Sequence, residues 1–212
     1  MADLTSGAFE ITLVCRVAHH FPSPRRESRS GILSAFRPPD WQTRQVRYNL
    51  RSMFNTPALI HLNSDEGPTI SAVGDVYRVL ATGEQTGGAY ALLEARVLPG
   101  GGPPPHLHTR EEESFFVLEG ELTFLVEGRP VRAGVGAFIQ IPRGTVHCFK
   151  NESATPTRIL IQVTPSGFEQ FMAEFAVPVP SFASPPVPVT PVEIERLLAV
   201  APKYGIEMKL PH

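Results

Sequence analysis

Short apolar runs alternate with turn-forming residues through the middle of the chain. The pattern predicts strands around Tyr77 to Ala81 and around Ala89 to Val97, with the glycine-rich turn TGEQTGG between them. The segment AYALLEARV is also rich in good helix formers, so a short helix is the competing interpretation. The glycine clusters on both sides of this segment favour a strand.

More strands are predicted between residues 121 and 164. Glu121 to Val126 and Arg129 to Arg132 flank Glu127-Gly128, a pattern that indicates a β-hairpin. Three further runs bounded by Gly, Pro or polar turns predict strands at Ala137 to Ile141, Val146 to Asn151 and Thr157 to Thr164. Short antiparallel strands at regular spacing are typical of a β-sandwich or barrel. No internal repeat is evident, so we expect one barrel.

The last part of the chain has the pattern of amphipathic helices. Ser166, followed three residues later by Glu169, predicts a capping box at the start of a helix. One face of that helix carries the apolar residues Phe168, Phe171, Met172 and Phe175. We expect this face to pack on the barrel. After a proline-rich connector, Thr190 and Pro191 predict the start of a second helix that runs to about Val200.

The first 52 residues lack a convincing apolar period. They contain eight Arg, no Lys and four acidic residues, a net charge of +4, which leaves −6 for residues 53–212 because the whole chain carries −2. Three interpretations stay open: a flexible or surface-bound arm, an organelle presequence, or an over-extended start with Met53 as the initiator. The predicted organisation is an irregular N-terminal extension (residues 1–55), a β-barrel (residues 56–165) and a helical segment packed on the barrel (residues 166–212).

Composition narrows the class of protein and its partners. A chain of 212 residues with 42% hydrophobic residues can form one domain with a sizeable core. Its 22 Pro and 17 Gly favour turns and short strands, so the fold class expected is all-β with C-terminal helices. A net charge of −2 gives no support for nucleic-acid binding, and no apolar run is long enough to span a membrane. Two distant cysteines without a CxxC pattern favour a reducing cytoplasm.

Two segments contain candidate metal ligands. His106 and His108 are two residues apart, so in a strand their side chains project to the same face, about 7 Å apart. Glu113 follows, and two imidazoles with a carboxylate make a metal site plausible. The segment GAFIQIPRGTVHCFKN adds His147 at the start of a strand. A lone histidine there would more often cap a turn or lie in a core, but His147 is not alone.

Together the two segments resemble the paired signature motifs of the cupin superfamily. The matching positions are Gly100, His106, His108, Glu113 and Gly120 in the first motif, and Gly136, Pro142, Gly144, His147 and Asn151 in the second. Fifteen residues separate the motifs, which resembles the short spacing of single-domain microbial cupins. The resemblance covers about Ser71 to Pro165. It implies a jelly-roll barrel, or double-stranded β-helix, that holds one divalent metal ion.

The ligands implied by the resemblance are His106, His108, Glu113 and His147. Three imidazoles and a carboxylate suit Fe, Mn, Co, Ni or Zn, and a closed structural zinc site is less expected because such sites generally use cysteine. Glu111 and Glu112 remain as alternative carboxylate ligands. Glu112 lies on the opposite face of a regular strand and Glu111 falls in the turn, so Glu113 is preferred and we expect both neighbours to be solvated charges. Cys148 is expected to point away from the metal as a packed small residue.

A substrate pocket is expected on the ligands' face of the barrel, formed by Phe115, Val117, Phe124, Gln140 and Phe149. The chain resembles bacterial quercetin dioxygenase-like proteins, which implies a metal-dependent dioxygenase for a small enolic or flavonol-type substrate, with Glu113 as general base. The alternatives are an oxygen-independent isomerase, decarboxylase or lyase, and a non-catalytic module that binds a metal or small molecule. Cupins commonly assemble through barrel edges, so we expect a homodimer.

Overall fold

The computed structural model describes residues 59–209. The predicted N-terminal extension, residues 1–55, and the three interpretations offered for it lie outside these described residues. Within the described range, no helix is both long enough and apolar enough to cross a membrane.

The described chain is built mostly of strands. In chain order these are β1 (Thr69–Ala72), β2 (Asp75–Ala81), β3 (Ala91–Val97), β4 (His106–His108), β5 (Glu112–Glu119), β6 (Glu121–Val126), β7 (Arg129–Gly134), β8 (Phe138–Ile141), β9 (His147–Lys150), β10 (Thr157–Thr164), β11 (Val177–Pro178) and β12 (Ile206–Met208). The helices are α1 (Gly83–Thr86), α2 (Phe168–Phe175) and α3 (Pro191–Val200), and a short 3-10 helix (Ala201–Tyr204) follows α3.

The strands form two antiparallel sheets. One sheet has seven strands in the order β11-β1-β2-β3-β10-β5-β8, and the other has five in the order β12-β4-β9-β6-β7. Strand β10 lies between β3 and β5, so that Ile161 pairs with Leu93 on one side and with Phe115 on the other. The chain therefore passes repeatedly from one sheet to the other, as in a jelly roll. The prediction of an all-β double-stranded β-helix with C-terminal helices is confirmed.

The hydrophobic core lies between the sheets because alternate side chains of each strand point inward. In β10, for example, Ile159, Ile161 and Val163 are buried, while the residues between them are partly or fully exposed. An aromatic cluster joins the sheets: the ring centroid of Phe115 lies 5.0 Å from that of Phe124 and 5.7 Å from that of Phe149. Fully burying such a side chain contributes about 1.5–3 kcal/mol, so this cluster stabilises the packing of one sheet on the other.

Most of the predicted strands are present. The competing helix for AYALLEARV is wrong, since Ala91–Val97 is strand β3 between two neighbours. The hairpin around Glu127-Gly128 is confirmed by β6 and β7. The turn TGEQTGG contains the short helix α1, which the sequence pattern did not predict. Strands β1, β11 and β12 were also not predicted.

The start of α2 differs from the prediction. Gly167 is the N-cap residue, with a φ of 147°, and no side chain caps this end. Ser166 instead packs against Gly83, where an added Cβ would lie 2.1 Å from the serine Oγ. The Glu169 carboxylate accepts hydrogen bonds of 2.9 Å from the N–H groups of Gly167 and Gly83. The predicted capping box is therefore wrong, because Glu169 ties the starts of α1 and α2 together.

In the rest of the C-terminal segment, α3 begins at Pro191 and ends at Val200, as predicted. The segment also adds one strand to each sheet. Thr190 caps α3 by accepting a 3.2 Å hydrogen bond from the Glu193 N–H, and Pro191 is the first helical residue. Strand β11 pairs with β1, and β12 pairs with β4, the strand that carries two of the candidate ligands. The apolar face of α2 is buried against the barrel, as predicted.

Asp75 is a fully buried carboxyl group at the start of β2. Its Oδ1 accepts a 2.9 Å hydrogen bond from the Leu98 N–H. Burial raises the pKa of Asp75 to about 7, against the opposing effects of its backbone hydrogen bonds and of Arg96. The folded protein therefore binds this proton more tightly than the unfolded chain does. The associated stability is lost as the pH rises from about 4 to about 7.

We expect Asp75→Asn to remove this pH dependence, because the amide does not ionise. The free energy of unfolding of the wild type, minus that of the variant, should fall by up to about 1.4 kcal/mol per pH unit across this interval. Urea unfolding of both proteins between about pH 4 and about pH 8 measures the difference. Two curves that stay parallel throughout would contradict the assignment of a raised pKa to Asp75.

Candidate metal centre

The three candidate imidazoles come from neighbouring strands of the five-stranded sheet. His106 and His108 are the first and last residues of β4 and are both buried, while Leu107 between them faces outward and is half-buried. His147 begins β9 and lies directly opposite His106 in the antiparallel pairing. Glu113 comes from β5 in the other sheet. The strand period and this pairing therefore bring four side chains from three strands and both sheets into one buried cluster.

The four side chains are close enough to hold a single ion. His106, His108, Glu113 and His147 each offer a ligand atom, and these atoms all lie within 4.8 Å of one another. Oε2 of Glu113 lies 2.9 Å from Nε2 of His147 and 3.3 Å from Nε2 of His108. The Nε2 atoms of these two imidazoles thus converge on the carboxylate.

Two of the rings have a backbone partner on their other nitrogen. Nδ1 of His106 lies 2.9 Å from the Pro104 carbonyl oxygen, and Nδ1 of His147 lies 3.0 Å from the Thr145 carbonyl oxygen. When Nδ1–H donates to such a carbonyl, Nε2 carries the lone pair that can bind a metal. The backbone immediately before each histidine therefore selects the tautomer that suits a metal ligand.

Burial and the charges of neighbouring groups shift the pKa values of the candidate ligands. Burial, together with the nearby His147, lowers the pKa of His106 to about 4, so this ring is neutral near neutral pH. Burial alone would raise the pKa of Glu113, but His108 and His147 outweigh it and hold that pKa well below its usual range. Burial disfavours a charge on His108, but Glu113 and Glu111 outweigh it and raise the pKa of this ring to about 9. A buried anion surrounded by imidazoles is stabilised by a positive charge at its centre.

The residues present fit a divalent transition metal. Nε2 of His108 is buried and has no hydrogen-bond partner among the described residues, which costs about 1–3 kcal/mol unless a ligand occupies it. Three imidazole nitrogens and one carboxylate oxygen suit Fe(II), Mn(II), Co(II), Ni(II) or Zn(II). Within residues 59–209, this is the only group of three or more His, Cys, Asp or Glu side chains with such spacing.

The neighbouring acidic residues and the cysteine have different environments. Glu112 is exposed, as predicted, and its Oε2 accepts a 3.0 Å hydrogen bond from Gln140. The prediction for Glu111 is wrong: it is only 3% exposed, and its Oε2 lies 3.4 Å from Nδ1 of His108. The turn between β4 and β5 directs this side chain inward rather than into solvent. Cys148 lies between the inward-facing His147 and Phe149 and is half-buried outside the ligand cluster.

A small apolar cavity adjoins the cluster. It has a volume of about 50 Å³, and His106 and Glu113 form part of its wall. Helix α2 closes one side with the apolar side chains Phe168, Phe171, Met172 and Phe175. Tyr77 from β2 also lines the cavity and is 5% exposed. The sequence pattern predicted that α2 packs on the barrel, and its apolar face contributes to the cavity wall.

The predicted pocket residues divide into three groups. Phe149 lines the cavity. Phe115, Val117 and Phe124 are buried at 1% exposure or less and belong to the core rather than to the cavity wall. Gln140 pairs with Ser114 in β5, which places it on the outer face with Glu112, so its assignment to the pocket is corrected. Tyr77 and the aromatic residues of α2 take the place of these residues in the wall.

Comparison with known proteins agrees with this geometry. Residues 93–163 match the model of the cupin domain family. The chain contains a cupin domain. The matched region includes all four candidate ligands, so the resemblance deduced from the two motifs is confirmed.

The chain is similar to several named proteins over part of their length. It is 26% identical to quercetin 2,3-dioxygenase of Bacillus subtilis over 117 residues, which are 55% of this chain and 34% of that protein. It is 36% identical to Nectarin-1 of Nicotiana langsdorffii x Nicotiana sanderae over 108 residues, 46% of this chain and 44% of that protein. The chain thus spans less than half the length of either relative. Among solved structures, a predicted oxalate decarboxylase from Thermotoga maritima superposes with a TM-score of 0.47 at 20% identity, covering 50% of this chain and 99% of that one.

Proposed function

We propose that this cupin is a metal-dependent dioxygenase that acts on a small, uncharged molecule with an acidic enol hydroxyl. The observation that carries the proposal is the buried cluster of three imidazoles and a carboxylate in the wall of an apolar cavity. A divalent metal in this site would supply a Lewis acid that lowers the pKa of an enol. The similarity to quercetin 2,3-dioxygenase supports an oxygen-dependent reaction on such a hydroxyl.

Glu113 is the residue suited to proton transfer. Its carboxyl group lines the cavity beside the imidazoles of the cluster. An ionised carboxylate within reach of an enol hydroxyl can accept the proton as the enolate forms. The neighbouring imidazoles of His108 and His147 then stabilise the carboxylate position. In a dioxygenase both oxygen atoms enter the products, so the reaction needs no added reductant.

The cavity wall selects against charged substrates. Phe168, Phe171 and Phe175 are apolar, and no Lys or Arg among the described residues lines this cavity. A phosphate or a second carboxylate would therefore be buried without a protein counterion, which is strongly unfavourable. Sugar phosphates and dicarboxylic acids fit the site poorly for this reason.

The cavity volume limits the size of the substrate. Pockets that enclose drug-sized ligands have volumes of about 300–1,000 Å³. The cavity beside Glu113 has only about 50 Å³ and is closed on one side by α2. A small enol or 1,3-diketone is closer to this size than a flavonol is. A flavonol would require α2 to move away from the barrel.

The test begins with the full chain, purified without a chelator and analysed for metal. The protein is then loaded separately with Fe(II), Mn(II), Co(II), Ni(II) and Zn(II). With at least one metal we expect oxygen uptake on a small 1,3-diketone and much slower uptake on quercetin. Glu113→Gln should abolish the uptake because the base is lost, whereas Glu112→Gln, on the outer face, should retain it.

The outcomes separate the main alternatives. Absence of oxygen uptake with every metal would refute a dioxygenase on this substrate class. Conversion of the diketone at the same rate under argon would assign the site to an oxygen-independent lyase or hydrolase instead. Ligand binding seen as a thermal shift, with no turnover under either gas, would indicate a binding module.

A further inference from the structure

Glu111 is a buried acidic residue that the ligand cluster does not include. It is 3% exposed, and its Oε2 lies 3.4 Å from Nδ1 of His108, which is 2% exposed. Neither of these two buried atoms has a hydrogen-bond partner among the described residues, and each is the polar atom that faces the other. Each buried polar atom left without a partner costs about 1–3 kcal/mol, so the two atoms are expected to serve each other.

The three histidines differ in the group that lies next to Nδ1 of the ring. His106 and His147 each present Nδ1 to a backbone carbonyl two residues earlier, at 2.9 Å and 3.0 Å. His108 faces the Glu111 side chain instead. On its opposite side, Nε2 of the same ring lies 3.3 Å from Glu113. His108 is therefore the one ring of the cluster with a carboxyl group at both nitrogens, one inside the cluster and one outside it.

The turn that carries Glu111 is anchored by the C-terminal segment. Both the N–H and the hydroxyl of Thr109 donate 2.8 Å hydrogen bonds to the Gly205 carbonyl. The ring centroid of Phe168, the first residue of α2, lies 5.6 Å from that of His108. A Cβ added at Gly167 would lie 3.3 Å from Oε1 of Glu111. The glutamate is thus enclosed between His108 and the start of α2.

We propose that Glu111 is a positioning residue for the metal ligand His108. Its carboxyl oxygen accepts the Nδ1–H of the ring, which fixes the tautomer that directs Nε2 into the cluster. A charge-assisted acceptor binds an N–H about twice as strongly as a neutral carbonyl does, so His108 becomes a stronger metal ligand than its two neighbours. Such partners outside the ligand set typically change metal affinity by about 10–100-fold.

The test measures metal binding without turnover. Full-length wild type, Glu111→Gln, Glu111→Ala and Glu112→Gln are titrated with Co(II) alone, whose absorption spectrum reports both affinity and ligand geometry. We expect affinity to fall about 10-fold for Glu111→Gln and about 100-fold for Glu111→Ala, with an altered Co(II) spectrum. Glu112→Gln is the matched control, since it removes the neighbouring charge on the outer face, and it should bind Co(II) as the wild type does.

A second measurement does not depend on the variants folding. In the Zn(II)-loaded wild type, the ring ¹⁵N shifts of His108 should show a protonated Nδ1 and a metal-bound Nε2. The proposal is overturned if Nδ1 is the metal-bound atom, or if Glu111→Gln binds Co(II) as tightly as the wild type. The inference rests on the metal site of the proposed function but not on the reaction. A protein that binds Co(II) and consumes no oxygen would refute the dioxygenase and leave the role of Glu111 to be read from the affinities.

Discussion

Replacing His147 with Ala should lower the affinity for a divalent metal by at least about 100-fold. The loss of an outer partner of a metal ligand costs about 10–100-fold, and His147 would be a direct ligand, so its loss should cost more. The change also removes the Nε2 that lies 2.9 Å from Oε2 of Glu113, leaving the buried carboxylate with fewer partners. Equilibrium dialysis against Zn(II) measures the affinity directly.

Thermal unfolding provides an independent measurement of the same change. A metal that binds only the folded state stabilises it by about 2.7 kcal/mol at a concentration one hundred times the Kd. The wild type should show this stabilisation, and the His147 variant should show almost none at the same metal concentration. Cys148→Ala is the control, because this next residue of β9 is half-buried and outside the cluster. Equal metal stabilisation of wild type and His147→Ala would exclude His147 as a ligand.

Part of the ligand cluster could be predicted from local sequence patterns. The two-residue period of β4 puts His106 and His108 on one face, and the same period in β5 separates Glu113 from Glu112. The motif spacing then identified His147 as the missing imidazole. The strand pairing that brings it opposite His106 follows from the resemblance to the family fold, not from any local pattern.

The surroundings of the cluster could not be predicted in the same way. Glu111 lies in a turn, where the strand period does not determine the direction of a side chain. It is buried close to Gly167, which is more than fifty residues away in sequence. Gln140 was assigned to the ligands' face of the barrel, yet the register of β8 against β5 places its side chain on the outer face. Contacts between segments that are distant in sequence determine the direction of these side chains, and the pattern of a single sequence does not specify those contacts.

Helix α2 is a second case in which the sequence predicts packing but not the position of the packed surface relative to the candidate site. Its apolar stripe predicts that it packs on something, which the structure confirms. Only the three-dimensional arrangement shows that the covered surface includes the wall beside His106 and Glu113. The helix therefore sets the size of the cavity as well as contributing to the stability of the fold. A single substitution in α2 should reveal both roles.

Phe171→Ala is expected to destabilise the fold by about 3–5 kcal/mol and to enlarge the cavity. The Phe171 ring is 4% exposed and packs against Phe168 and Phe175, with ring centroids 5.7 Å and 4.7 Å apart. Truncating a buried phenylalanine loses its transfer free energy and leaves a void that relaxes only in part. Urea unfolding of the variant measures the cost. Phe116→Ala, on the outer face where the ring is 40% exposed, should cost less than about 1 kcal/mol.

The same variant tests whether α2 limits the substrate. Because the removed ring lines the cavity, 1,3-diketones with an added phenyl group should bind the metal-loaded variant more tightly than the metal-loaded wild type. Small diketones should bind it no better, since they gain no contacts from the extra volume. Thermal shift with each ligand compares the two classes without requiring turnover. An unchanged preference for small ligands would mean that α2 collapses into the void, and the loss of stability should then fall below about 3 kcal/mol, because a filled void removes the cavity contribution to the cost.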